Sequence, residues 1–139
     1  MKTSILRTLA ALSLSAALGP VSLQAQTRGP IHVTVPFDFT AGSKSLAAGE
    51  YRVTEQAPHV LAIRSVNGRS AMVIMTNTAQ ANNTPGMAKL TFNQYGDRYF
   101  LSQVSKGDLG WELPKSPVEK ELIAKRTSPK PAVVVTDEQ

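Results

Sequence analysis

The groups in this sequence that could move a proton or hold a metal are few and far apart. There are two histidines, His32 and His59, and no cysteine, which excludes thiol catalysis and thiolate metal sites. His32 falls on the polar side of an alternating run together with Asp38, but an extended chain holds the two roughly 20 Å apart. His59, directly after Pro58, reads as a solvated turn residue, and neither histidine has a second ligand at metal-site spacing. No HExxH, Gly-rich phosphate loop, GxSxG or EF-hand pattern occurs. A hydrolase would need His32 or His59 to meet an acid such as Asp38 or Glu112 from another strand, and nothing in the spacing predicts that meeting. The chain therefore reads as non-catalytic, with no metal or cofactor expected.

The sharper binding candidates lie in LTFNQYGDRYFLSQV, residues 90–104. Here Tyr95, Asp97, Arg98 and Tyr99 would form a charged tip held between two tyrosines. Turn chemistry alone explains Gly96 and Asp97; the tyrosines are left over. Trp111, the sole tryptophan, sits beside Leu109 and Leu113 and suits covering the end of a core better than stacking on a sugar. Glu112 has no matched carboxylate. Lys115, Lys120, Lys125, Arg126 and Lys130 read as a solvated helix face and tail, with contact to an anionic envelope surface as the alternative.

The elements that must position these residues are mostly strands. Residues 31–40, IHVTVPFDFT, alternate strictly and place Ile31, Val33, Val35, Phe37 and Phe39 on one face. Pro36 donates nothing to a ladder, so this strand belongs at a sheet edge or carries a bulge. Turns at Gly42-Ser43-Lys44 and Ala48-Gly49-Glu50 lead into a further strand through Tyr51 and Val53, ended by Pro58. Residues 60–66 and 69–76 flank Asn67-Gly68, a pair favoured where both turn residues take positive φ. Pairing Val66 with Arg69 places Leu61, Ile63, Met72 and Ile74 on one face. Residues 78–86 read as a polar loop. A second hairpin joins 89–95 to 98–106, where Gly96 suits a type II′ turn. A two-residue loop opposes Phe92 to Leu101, whereas a three-residue loop puts Leu90, Phe92, Phe100 and Val104 together; the pattern leaves both registers open. WEL adds a short last strand. The one helix signal is SPVEKELIAKR, over residues 117–126, with Ser116 as N-cap, Pro117 first in the helix and Glu119 closing a capping box. Residues 127–139 read as a flexible tail, although VVV could pair with an exposed edge.

The first residues point to export. Lys2 and Arg7 precede an apolar run of small residues, the pattern of a signal peptide over 1–25 cleaved after Ala25. The run is too short, and too soon broken by Gly19-Pro20, for a transmembrane anchor. About 114 residues would remain, with 13 basic and 10 acidic side chains, a net charge of +3. So mild an excess gives no reason to expect a nucleic-acid partner. One domain of this size, residues 26–126 with its helix, buries enough apolar surface to fold without disulfides.

The blocks VPFDF, LAAGEY, IRS, YGDRYFL and WELPKSPVEKEL resemble a family of small exported bacterial all-β proteins of unknown function, from about His32 to Leu122. YGDRYFL is the most specific block. Ala47, Ser105 and Trp111 depart from the pattern, where Pro, an aromatic and Arg are usual, which weakens any role for Trp111. The resemblance implies the domain limits and an all-β fold, and it carries no catalytic or binding residue with it.

The expected fold is thus an antiparallel sandwich or partly open barrel of about six to seven strands with one short C-terminal helix. The expected function is a periplasmic or secreted interaction module whose partner is a protein or other envelope component. A second expectation is a carrier for a small apolar ligand, lined by the adaptable side chains of Met72, Met75 and Met87.

Overall fold

The computed structural model describes residues 29–81 and 85–137; the expected leader lies outside them. The strands are β1 (Ile31–Val35), β2 (Phe39–Ala41), β3 (Lys44–Leu46), β4 (Gly49–Ala57), β5 (Val60–Ser65), β6 (Ala71–Met75), β7 (Asn77–Gln80), β8 (Met87–Tyr95), β9 (Arg98–Lys106), β10 (Leu109–Glu112) and β11 (Lys130–Asp137), with helix α1 (Pro117–Ala124) before the last. The all-β expectation holds, but the strands are shorter and more numerous than six or seven, because several predicted runs break where the chain changes sheet. Among the described residues no helix is long and apolar enough to cross a membrane.

One sheet has the order β1-β4-β5-β6, the other β11-β8-β9-β10-β7 with β2 and β3 attached. The predicted strand 31–40 divides at Pro36, which belongs to neither strand: β1 ends just before it as an edge of the first sheet, and β2 joins the second, parallel to β9 through Thr40–Phe100 and Ala41–Leu101. Its apolar face survives the break, since Ile31, Val33, Val35 and Phe39 are all buried and Phe37 packs against them. At the opposite corner β6 runs through Thr76 into β7, which pairs with β10. Residues 78–80, expected as loop, are therefore strand. The sheets meet again where the Thr136 hydroxyl donates to the His32 carbonyl at 2.7 Å. Two curled sheets thus enclose one core, centred on Phe92, Leu90, Val104, Leu61 and Ile63. Trp111 is buried at the core's edge beside Leu113.

Both hairpin registers follow the apolar pattern. In the first, Leu61 opposes Ile74 and Ile63 opposes Met72, the register that pairing Val66 with Arg69 demands. Its turn differs from expectation: Gly68 has φ 75° and Asn67 does not share the sign. Instead the Asn67 side-chain oxygen accepts from the Arg69 N–H at 3.0 Å and the Ser65 hydroxyl at 2.8 Å, a side-chain substitute for the expected turn.

The second hairpin uses both open registers. Tyr95 opposes Arg98 and Phe92 opposes Leu101 near the two-residue loop, while Leu90 opposes Val104 beyond a bulge. One extra residue, Ser102, lets Leu101 and Val104 both face the core although they stand three apart. Gly96 takes φ 64° at the first turn position and Asp97 is not among the positive-φ residues, as a type II′ turn requires.

Two further expectations are corrected. Helix α1 ends at Ala124, with Lys125 as C-cap and Arg126 at φ 60°; the exposed left-handed residue stops it two positions early. Residues 130–137 are not a flexible tail but pair along all of β8, from Lys130–Gln94 to Asp137–Met87. Covering the open edge of β8 is what orders them. Parity fits the placement. Lys89 and Thr91 turn toward β9, where their carbonyls accept from Ser105 and Ser102, so Leu90 and Phe92 turn toward β11 and bond Val134 and Ala132. Pro131 then falls at a position facing away from the ladder, where its missing N–H costs nothing.

Candidate functional site

The β8–β9 turn brings three of the four predicted residues to one groove. Asp97, Arg98 and Tyr99 line it with Asp38 from the β1–β2 connection, Phe39 at the start of β2 and Leu46 at the end of β3, around a volume of about 390 Å³. Each wall has a structural reason. Asp38 is held where its carboxylate accepts from the Ala48 N–H at 2.8 Å. Tyr99 stacks on Phe37 with ring centroids 3.8 Å apart and planes 15° from parallel, and Phe37 meets Phe92 edge-on at 5.0 Å. The groove's aromatic wall is therefore anchored in the core. Asp97 and Arg98 are exposed, and the Arg98 guanidinium lies 5.6 Å from the centre of the Phe100 ring, a cation over an aromatic face.

Tyr95 is not in that groove. It points to the opposite face of the sheet, under α1, where it is 4% exposed and meets Phe100 edge-on at 5.6 Å. Its hydroxyl donates to Glu119 Oε1 at 3.2 Å, and the Asn93 amide donates to the same oxygen at 2.9 Å. Only half of the expected capping box forms: the Glu119 N–H donates to Ser116 Oγ at 3.0 Å, while the Glu119 carboxylate pins the helix to the sheet. The tyrosines on either side of Gly96-Asp97-Arg98 thus serve different tasks on different faces, a separation set by the pairing of Tyr95 with Arg98 across the two-residue loop. Burial, and secondarily the Glu119 charge and hydrogen bond, hold the Tyr95 phenol above its ordinary value. Tyr51 is likewise raised, by burial first and the Asp38 charge second, and its hydroxyl donates to the Ala47 carbonyl.

The two histidines line separate clefts, and neither of these is lined by Asp38 or Glu112. His32 is exposed on β1, in a groove near Glu50, Val66 and Thr136. His59 occupies the second position of the β4–β5 turn with φ 64°, a left-handed conformation unusual for a residue with a side chain. Its Nδ1 is 3.4 Å from the Thr78 hydroxyl. It lines a smaller cleft, about 190 Å³, with Glu55, Thr78, Asp108 and Trp111. There the Trp111 indole N–H donates to Glu55 at 3.3 Å. Close approach of β7 and β10 makes this cleft: a Cβ at Gly110 would sit 2.5 Å from the Ala79 carbonyl oxygen. Sequence reading missed the cleft because it depends on β7, which composition disguises as loop. Pro58 before a non-glycine turn residue was the only local sign.

The methionines expected to line a carrier's interior are dispersed. Met75 is 75% exposed, Met87 is half-buried on β8, and only Met72 packs against the core. Among the described residues no group of three or more histidine, aspartate or glutamate side chains could hold a metal. The groove beside Asp97 offers two carboxylates and an anchored aromatic wall, while the Arg98 guanidinium lies over Phe100 on the Tyr95 face of the sheet. No protein-family model, curated protein or solved structure matches the chain.

Proposed function

We propose that the chain is an exported, non-catalytic interaction module that binds a protein or other component of the bacterial envelope through the groove at the β8–β9 turn. One observation carries the reading: Asp38 and Asp97, from separate parts of the chain, converge beside a tyrosine that stacking fixes in place. A preformed groove with two carboxylates and one rigid aromatic side chain binds without first ordering its own loops. The basic, apolar start of the sequence supports export.

Native mass spectrometry of the protein, gently purified from its own host's envelope, tests this. An adduct with a protein other than a second copy of the chain, lost on Asp97→Lys, is the expected result, because that change reverses one of the groove's two carboxylates. A monomer or homodimer with no other protein bound, or an adduct with another protein that is indifferent to Asp97→Lys, sinks the proposal. Extra mass of a few hundred daltons, released on unfolding, would replace it with the carrier.

A further inference from the structure

Strand β6 ends the first sheet, and its sequence, AMVIM, contains none of the charges or prolines that usually blunt an edge. Ladder parity shows what that edge presents. The Ser65 N–H donates to the Ser70 carbonyl and the Thr76 N–H to the His59 carbonyl, each at 2.8 Å. Even-numbered residues of this segment therefore bond β5, and the backbone N–H and C=O groups of Ala71, Val73 and Met75 turn toward the open side. The same three side chains point outward: Val73 is 62% and Met75 75% exposed, and Ala71 is exposed too. At this edge the Lys44 ammonium caps the Ala71 carbonyl at 2.8 Å, leaving that oxygen's second lone pair and the groups of Val73 and Met75 open.

We propose that β6 is a self-pairing edge, to which a second copy of this chain adds its own β6 antiparallel about a two-fold axis through Val73. The occupant follows from the sequence read against its own reverse. An axis at Val73 opposes Ala71 to Met75 of the partner subunit, so a small side chain meets a long one on the outer face. It opposes Ser70 to Thr76 and Arg69 to Asn77, so no like charges face each other, and all the outward backbone groups of 71, 73 and 75 find partners in register. Such isologous pairing closes on itself and does not propagate. The two four-stranded sheets become one continuous sheet by strand addition. A single short ladder is at the low end of specific interface sizes, so the dimer is concentration-dependent. This site is distant in sequence and separate in its residues from the groove at Asp97.

Sedimentation velocity on the purified chain across a wide concentration series tests the inference. Wild type is expected to pass from monomer to dimer. Val73→Lys and Val73→Glu should each be monomeric, since the axis places every substituted residue opposite itself, and mixing the two variants should restore a dimer. Because the chain has no cysteine, Val73→Cys adds a single thiol. Hydrogen-bonded antiparallel partners lie about 5.5 Å apart, within disulfide range, so this variant should cross-link on mild oxidation while Lys120→Cys, on the exposed helix face, does not. The cross-link reads the pairing even if a charged variant fails to fold. A chain that stays monomeric at every concentration, a dimer that persists in Val73→Lys, or a Val73→Cys variant that cross-links no faster than Lys120→Cys overturns it.

Discussion

Glu119 is 2% exposed, and its carboxylate joins a tyrosine and an asparagine on β8 to the first turn of α1. Removing the acceptor strands two donors against a helix whose one fully buried residue is Glu119 itself. Glu119→Ala is expected to cost about 1–3 kcal/mol, read as a lower urea midpoint, whereas Glu119→Gln keeps an acceptor oxygen and should cost less. The raised phenols of Tyr51 and Tyr95 set an alkaline limit. Below the ordinary tyrosine value near 10 both states hold the proton and the contribution to stability is complete. Above it the unfolded chain releases protons that the folded chain retains, so the unfolded state binds fewer and stability falls as pH rises. Urea midpoints should therefore decline from about pH 9 upward, and more shallowly in a Tyr51→Phe, Tyr95→Phe double variant. An equal slope in the double variant would remove these phenols from the account.

Strand parity makes a sharper test than strand propensity. Val133 and Val134 are adjacent valines in β11, but the N–H of Val134 bonds Leu90 on β8 and that of Val133 faces away. Val134→Pro removes a ladder hydrogen bond and should cost about 1–3 kcal/mol, while Val133→Pro should be tolerated as Pro131 already is; thermal unfolding of the two variants checks it, and equal losses would refute the register. At this scale the sequence was legible wherever one face is apolar and local. The 60–76 hairpin announced its register through Leu61, Ile63, Met72 and Ile74, and Ser116-Pro117 announced the helix start. It was illegible where pairing is between distant segments: β7 has no apolar periodicity, and β11 is ordered by the bare edge of β8, which its own residues do not report. The site divides the same way. Asp97 and Arg98 could be singled out from turn chemistry, but Asp38 joins them only through the parallel pairing of β2 with β9, and Tyr95 leaves them because Glu119 claims it.

For the whole molecule, β11 is the return of the second sheet to the first, and the Thr136 hydroxyl, donating to the His32 carbonyl, links the two across that seam. A chain ending at Thr127 would leave β8 as an open edge over the most deeply buried part of the core. Such a truncation is expected to broaden the unfolding transition and lower its midpoint, as seen by circular dichroism. A dispensable tail would leave both unchanged, so the experiment separates an ordered strand from a solvated end.

The bulge at Ser102 has one more consequence. Below it the outer edge of β9 carries β2 in parallel, and above it the same edge carries β10 antiparallel; the Ser102 carbonyl itself takes the Leu113 N–H at 2.9 Å. A chain lacking Ser102 would still oppose Phe92 to Leu101 and Leu90 to Val104, now as one uninterrupted ladder. What it would lose is the change of neighbour. Ser102 is thus a spacer whose presence matters more than its side chain, and a library of single-residue deletions across this hairpin would find position 102 the mildest for pairing and the most damaging for the seating of β10.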